Sequence, residues 1–423
     1  MINTVFRRAA SQGKSRVALA PNSAMAAVYA AYFLAAGIFI PFFPVFLDNS
    51  GLSATEVGLI MGVPLLVRIL TGMALGAFAD LIGDRALTLV VYSAIAAVSA
   101  IAFSLFDGAI ALLLVMVVFA AFWTAIIPVS DAVAIDVTEA TRSDFARVRA
   151  AGSVAFVVAS IVGGWLIGLW GAASVPGLVA AGLVATVLAS FILRVVLSTV
   201  LPALIGFGPT GGKQDTALLP VLSRPAYVMG ALAGGLIQGA HAILYTRGSL
   251  HWQELGFSGD AIGLLWAVGV VAEVLLFFVA KHYLTGLDPR WLIAIGGVAS
   301  VVRYILFPYV DDLALSFLLQ ITHGLTFGAT FLGTIGWLTQ HTPRKWMASG
   351  QSAAATFIAI TMAILTFLSG PMFEAFGIFS MWLAALVSLV ALFALLLTGG
   401  LTPLDAQTRV DPAGPFAANE PVR

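Results

Sequence analysis

Cysteine is absent from this chain of 423 residues. Disulfides, thiol nucleophiles and thiolate metal sites are therefore excluded, although the absence says nothing about compartment. Charge is nearly as scarce. Asp, Glu, Lys and Arg make up 9% of the residues, and 20 basic against 20 acidic side chains leave a net charge of zero. A soluble domain of this length would need far more charge to cover its surface. With no basic excess, nucleic acid is not an expected partner. The five histidines include no pair at i, i+3 or i+4 joined by a second acid or His, so no metal site is expected, and no cofactor.

What fills the chain instead is apolar: 61% of the residues are hydrophobic, and they gather in runs of the length that crosses a bilayer, roughly 20 residues each. Twelve such runs are expected, from Ala24–Leu47, Glu56–Phe78, Ala86–Phe106, Ala109–Ala134, Ala151–Trp170 and Val175–Leu197 in one half to Ala226–Thr246, Ala261–Ala280, Trp291–Tyr309, Leu313–Leu338, Ser352–Met372 and Phe379–Leu397 in the other. The basic N-terminal stretch leads into a run longer than a signal peptide's apolar region and shows no cleavage site, so it reads as a retained span.

Lys and Arg near span ends are held in the cytoplasm. With the N-terminus inside, the cytoplasmic segments collect Arg7, Arg8, Lys14, Arg16, Arg85, Arg142, Arg147, Arg149, Lys213, Arg224, Lys281, Arg290, Arg344 and Lys345, and the outer loops keep only Arg247. Both termini are therefore expected in the cytoplasm of a bacterial-type inner membrane. The Gly- and Pro-rich stretch LPALIGFGPTGGKQDTALLP reads as a linker. The expected organisation is a tail over 1–23, a six-helix bundle over 24–198, the linker over 199–224, a second bundle over 225–399 and a disordered tail over 400–423.

The halves resemble one another. Laying Gly51 on Gly256 aligns GLSATEVGLIMGV with GFSGDAIGLLWAV and sets Arg68 opposite Glu273. Each half then has one ionisable residue at the same depth of its second helix, the pattern of transporters that bind substrate at mid-membrane between internal repeats. After the second span comes GAFADLIGDR, Gly76 to Arg85. Gly76, Asp80, Gly83 and Arg85 stand where the major facilitator signature has glycine, aspartate, glycine and a basic residue, and the segment resembles that signature. The alternative is an ordinary polar turn. The resemblance implies an all-α integral membrane protein of twelve transmembrane helices in two six-helix bundles, with Asp80 and Arg85 in a conformational gate at helix ends.

Charged positions inside the spans ask for a partner or for water, because a bare charge in hydrocarbon costs several kcal/mol (about 2.5–3.5 on insertion scales). The fourth and fifth spans flank a cytoplasmic loop and carry Asp131 and Arg149, which are expected to lie close together across a cavity. Arg149, Ser153, Phe156, Ser160 and Gly163 share one face of a helix. Gln238, His241 and Tyr245 line a face of the seventh span, and Gln320, His323, Phe327 and Thr330 a face of the tenth. Glu273 and Arg303 add an acid and a base. Each feature also has a bland reading: a structural ion pair for Asp131 and Arg149, hydrogen-bonded core residues for the histidines. His251, His282 and His341 lie near loop ends and take the bland one.

Over its transmembrane length the chain is similar to the phenylpropionate permease group and, more distantly, to lactose permease and its oligosaccharide/proton symporter relatives. The strongest segments are GLLWAVGVVAEVLLF, SVVRYI, LQITHGLTF and FARVRAAGSVAF. That resemblance implies a proton symporter in which Asp131, Arg149 and Phe156 contact substrate, and Glu273, Arg303 and His323 serve proton coupling. Two departures matter: where the permease has a carboxylate one turn after the histidine and a lysine one turn before it, this chain has Thr326 and Gln320. Glu273 is then the best remaining proton carrier.

Arg68, Gln238, His241 and Tyr245 complete the candidate substrate site. Trp123, Trp266, Tyr29 and Phe33 offer further aromatic surfaces, and Arg68, Arg149 or Arg303 could hold a carboxylate. The expected function is proton-coupled uptake of a small organic solute, an organic acid before a saccharide, by a monomer whose partners are the lipid bilayer, its substrate and protons. A drug/proton exporter is the alternative within transport. A membrane enzyme would need a catalytic constellation at one membrane face, and a sensor would need a soluble domain; the sequence has neither.

Overall fold

A computed structural model describes residues 2–201, 223–283, 287–343 and 346–397. The expected linker falls outside these except at its ends, as does the whole expected C-terminal tail. Of the side chains of 1–19, Met73, Asp80, Lys281, His282, Ala348 and Ser349 nothing is described. The described residues form no strand. They form helices α1 (Ile2–Asn49), α2 (Ala54–Ile82), α3 (Arg85–Ala102), α4 (Ala109–Thr141), α5 (Phe145–Trp170) and α6 (Val175–Val200), then α7 (Pro225–Glu254), α8 (Gly259–Tyr283), α9 (Pro289–Leu306), α10 (Leu313–His341), α11 (Met347–Phe376) and α12 (Met381–Leu396).

Helix is what a bilayer demands of such a chain, since every backbone N–H and C=O must be satisfied within its own segment. Eleven stretches are long and apolar enough to cross; the last, Gly350–Leu396, runs to 47 residues and contains the turn at Gly377 (φ 57°), so it supplies two of the twelve spans. Polar residues set the helix starts. Asp84, Asp144, Asp288 and Asp312 each accept a backbone N–H in the first turn of the helix they precede. Ser53 and Glu56 form a reciprocal capping box on α2. Arg290 also donates to Asp288 at 2.7 Å, which holds that loop carboxyl below the usual carboxylate range.

The internal repeat is visible in the backbone. Gly51 and Gly256 both adopt left-handed φ, 79° and 82°. Counting from Gly51, α2 begins three residues on, at Ala54, and from Gly256, α8 begins three residues on, at Gly259. Arg68 and Glu273 consequently occupy the same place along their helices.

The chain divides into two compact units. One comprises Met1–Leu52, Val67–Gly211 and Ser258–Leu264; the other comprises Ser53–Leu66, Gly212–Phe257 and Leu265–Arg423. The early part of each repeat's second helix thus groups with the residues of the opposite half. In the first unit α1 packs on α5 and α6, and an aromatic ladder fills the interior: Tyr32 stacks on Trp123 at 4.6 Å, Trp123 on Phe119 at 5.2 Å and Phe119 on Phe39 at 5.2 Å. The start of α8 lies against α5 so closely that a Cβ on Gly164 would come within 2.0 Å of the Gly259 carbonyl.

In the second unit α7 is enclosed by α10, α11 and α12. Its glycines make room for bulk: a Cβ on Gly230 would strike the Trp337 ring at 2.0 Å, and one on Gly234 the Thr334 hydroxyl at 2.1 Å. The first turn of α2 is held in the same unit. Arg247 of α7 donates to the Ala54 carbonyl and lies over the Phe373 ring at 4.8 Å, while Glu374 accepts the Thr55 N–H at 2.9 Å.

One expected result follows from backbone contact alone. Gly182 of α6 meets the backbone of Ala35, where a Cβ would lie 2.7 Å from nitrogen and 2.9 Å from Cα. Gly182→Val should therefore force α1 from α6 at a cost of about 1–3 kcal/mol and lower the melting temperature of the detergent-purified protein. Gly177→Ala, on the same helix but with nothing within 4 Å of its Cβ, should melt like the parent.

Candidate functional site

Each unit holds one polar cluster within its spans. In the first, α4 presents Asp131, α5 Arg149 and α1 Tyr29. The Tyr29 hydroxyl donates to Asp131 Oδ1 at 2.6 Å, Arg149 Nη1 donates to the same oxygen, and the guanidinium lies 5.6 Å from the Tyr29 ring centre. The two charged side chains remain 33% and 39% exposed, so the pair is accessible to a solute as well as structurally satisfied.

The α5 face that carries Arg149 turns toward α1. Ser160 donates to the Gly37 carbonyl at 3.1 Å, and Gly152 and Gly163 abut Phe33 and Ile38. Phe156 is buried at 7% exposure, and Trp123 belongs to the aromatic ladder. Arg68, from α2, is exposed; among the described residues its guanidinium makes no hydrogen bond or ion pair.

The motif Gly76 to Arg85, expected as a loop after the second span, instead lies in the last turns of α2 as far as Ile82 and turns only at Gly83 and Asp84; its end makes two ion pairs. Gly83 makes the turn with φ 71°. Asp84 caps α3 through the Leu87 N–H at 2.8 Å and also accepts Arg194 Nε at 2.7 Å. Arg85 pairs with Asp136 of α4 at 3.0 Å. A Cβ on Gly76 would meet nothing within 4 Å, and the Asp80 side chain lies outside the described residues. Asp84, Asp136 and Arg194 were not singled out from the sequence. Asp84 had a usable signal, since an aspartate between a glycine and a helical run is a cap in waiting; the reach of Arg194 from α6 had none. Asp84→Ala should remove cap and ion pair together, at about 1–2 kcal/mol, read as a lower melting temperature; Asp84→Asn, which keeps a capping oxygen, should lose less.

The cluster in the second unit is drier. Arg303 of α9 is 1% exposed. It donates to Gln320 Oε1, to Thr326 Oγ1 at 3.3 Å and to His323 Nδ1 at 3.4 Å; Gln320 in turn donates to the Leu265 carbonyl at 3.0 Å. His241 Nδ1 faces the Ile237 and Gln238 carbonyls at 3.1 and 3.2 Å, and its Nε2 lies 3.0 Å from Thr326 Oγ1.

These contacts assign the protons. Carbonyls only accept, so His241 carries its hydrogen on Nδ1 and takes one from Thr326 on Nε2. A guanidinium only donates, so His323 accepts on Nδ1 and carries its hydrogen on Nε2. That N–H faces Glu273 Oε2, 3.9 Å away.

From Gly324 to Ala329 the α10 backbone takes a π turn, a wide form that recurs at functional sites, and Thr326 and Phe327 sit within it. Phe327 stacks on His323 at 5.2 Å, and its carbonyl accepts Gln238 Nε2 at 3.3 Å. Tyr245 closes one side against Trp266, with ring centres 5.6 Å apart. Thr330, expected on the same face, is buried in the packing between α10 and Gly296 of α9.

The likenesses to known proteins agree with this architecture. A model of the MFS_1 like family matches residues 23–384. A protein of Escherichia coli (strain K12) named as a probable 3-phenylpropionic acid transporter is 28% identical over 368 residues, covering 86% of this chain and 94% of that one. Among solved structures, a point mutant of the nucleoside transporter NupG superposes with a TM-score of 0.76 at 16% identity, over 90% of this chain and 100% of that one. A bacterial homologue of the human lysosomal transporter Spinster, inward-facing and unoccupied, gives 0.73 at 15% identity, over 91% and 96%. These are transporters and not enzymes, and the chain, a multi-pass membrane protein with their fold, belongs to the MFS_1 like family.

Proposed function

We propose that this transporter takes up a small organic acid together with a proton, by alternating access, across a bacterial inner membrane with both termini in the cytoplasm. The observation that carries the coupling is the line Arg303, His323, Glu273, in which a buried cation fixes the histidine so that its remaining N–H points at the one mid-span carboxylate of the second unit among the described residues. Glu273 is the proton carrier in this reading, Arg303 and His323 tune it, and Gln238, His241 and Tyr245 flank the substrate. Asp131, Arg149 and Arg68, with Phe156 behind them, are the first unit's share. The choice of an organic acid draws on the substrate in the name of the 28% identical relative and on the surplus of arginine in the first unit's cluster.

The test is accumulation by the full-length protein in proteoliposomes. With an inward proton gradient, labelled 3-phenylpropionate should concentrate inside, and collapse of the gradient with an uncoupler should abolish the excess. Efflux from loaded vesicles under an inward gradient, with no uphill uptake, would favour an exporter instead. Orientation is checked directly, because the chain has no cysteine: a single cysteine added to either terminus should react with a permeant reagent in intact cells and resist an impermeant one.

A further inference from the structure

Among the described residues Arg68 is a charge without a counter-charge. It stands at the centre of α2, 14 residues into the helix that begins at Ala54, where the length of the span keeps it from reaching either membrane surface. The exposed leucines of that helix, Leu59, Leu66, Leu70 and Leu81, fall about 140–180° around the axis from it at 3.6 residues per turn, while the exposed Phe78 and Ile82 on its own side lie in the last turns of the helix. In the central turns Arg68 therefore stands on the face opposite the exposed leucines. It is nonetheless exposed, which for a guanidinium inside a span requires water or an anion.

The buried Tyr32 lies within electrostatic reach of Arg68, Arg149 and Asp131, so two guanidiniums and one carboxylate act on one place in the first unit. Asp131 is already committed to Arg149 and Tyr29. One positive charge is left over, and it belongs to the arginine whose five donors are unused by the described residues. Arg303 in the second unit is the other mid-span arginine of the described residues without a carboxylate in contact, but it is 1% exposed and its donors are directed at Gln320, Thr326 and His323. Arg149 is neutralised. Among the mid-span arginines of the described residues, Arg68 alone combines exposure, free donors and uncompensated charge.

We infer that Arg68 is the residue that recognises substrate charge: its guanidinium grips the carboxylate of a monoanionic substrate, and this contact sets the preference for an acid over a neutral molecule of the same shape. The planar fork of arginine matches a carboxylate with two parallel hydrogen bonds. The anion completes the charge balance of the cluster, so that the loaded cluster carries two cations and two anions. Glu273, at the equivalent place in the other repeat, is left free for the proton. This assignment rests on the organic-acid reading proposed above and adds to it the group that enforces it.

The experiment measures one ratio on one protein. Phenyl-terminated monocarboxylates with one to four carbons between ring and carboxyl are each compared with their primary amides, which keep shape and lose charge, by binding to the purified full-length transporter. The parent should bind its preferred acid about 10–100-fold tighter than the amide, the range of a charge-assisted contact. In Arg68→Gln the ratio should fall to near one, through loss of acid affinity with amide affinity little changed. A merely structural role would weaken both alike and leave the ratio standing, and that outcome overturns the assignment. If Arg68→Gln is not recovered from membranes, Arg68→Lys supplies the ratio: losing the fork while keeping a charge should lower it several-fold, and a ratio equal to the parent's overturns the assignment. A parent that binds none of the acids overturns the organic-acid reading and this assignment with it, whereas a parent that binds acids and variants that keep the ratio overturn the assignment alone.

Discussion

Asp131→Ala and Arg149→Ala should each reduce uptake at least about tenfold while leaving folded transporter in the membrane. The geometry separates these two effects. A dry ion pair costs about 3–5 kcal/mol to break, because the orphaned charge stays buried. Here the side chains are 33% and 39% exposed, so water can reach whichever charge is left, and the folding penalty should be nearer 1 kcal/mol. Stability loss of that size lowers abundance modestly and does not by itself stop transport.

The loss of function should come from position. Tyr29 and Arg149 converge on the same Asp131 oxygen, so removing the carboxylate releases both, and α1, α4 and α5 lose their common point. The charge-swapped double variant, Asp131→Arg with Arg149→Asp, restores an ion pair of reversed polarity. It should recover melting temperature but not uptake, since a solute that meets the pair would meet the wrong sign. Uptake at the parent's rate in both alanine variants would show the pair to be neither gate nor contact. Recovery of uptake by the swap would reduce it to a brace between helices.

How much of this was legible in the sequence depends on the range of the signal. The twelve helices could be read because hydrocarbon length and backbone satisfaction act along the chain. The repeat was read from matched residues around Gly51 and Gly256, and both glycines adopt the same left-handed turn. Asp131 with Arg149 is a case where expectation and contact coincide, since they stand on helices joined by one short loop and each needs a partner.

Contacts between helices far apart in sequence left no such trace. Helical spacing put Phe156 on the same face as Arg149, but that face lies against α1 at Gly37 and Phe33, so the ring is covered. Thr326 reads in the sequence as a departure, a hydroxyl where the resemblance to lactose permease implies a carboxylate. In the structure it joins Arg303 to His241 from within the π turn of α10, which apolar periodicity does not encode. Arg194 reaches Asp84 from 110 residues away, and no local pattern marks it.

Glu273→Gln should abolish uphill accumulation while substrate exchange between the two sides, at equal concentrations, is partly retained. A proton symporter needs a group that is neutral when the loaded carrier reorients, and the described acids of the second unit leave one choice. Glu56 caps α2, Glu254 ends α7, Asp288 and Asp312 cap helices from loops, Asp311 neighbours Asp312, and Glu374 is bound to the Thr55 N–H. Only Glu273 lies mid-helix, and a histidine N–H faces it. Glutamine copies the protonated acid in shape and charge and still offers an oxygen to His323 Nε2, so the Arg303, Thr326 and His241 contacts should persist and the carrier should still turn over with substrate bound. What it cannot do is give the proton up. Accumulation should therefore no longer respond to an imposed gradient, and the variant should equilibrate substrate without concentrating it. The measurement is counterflow against gradient-driven uptake in the same proteoliposome preparation, with the counterflow rate serving as the control for folding. A variant that concentrates substrate as the parent does would move the proton to Asp131, or remove protons from the mechanism. One that loses counterflow as fully as accumulation would make Glu273 a part of the substrate site and not its coupling group.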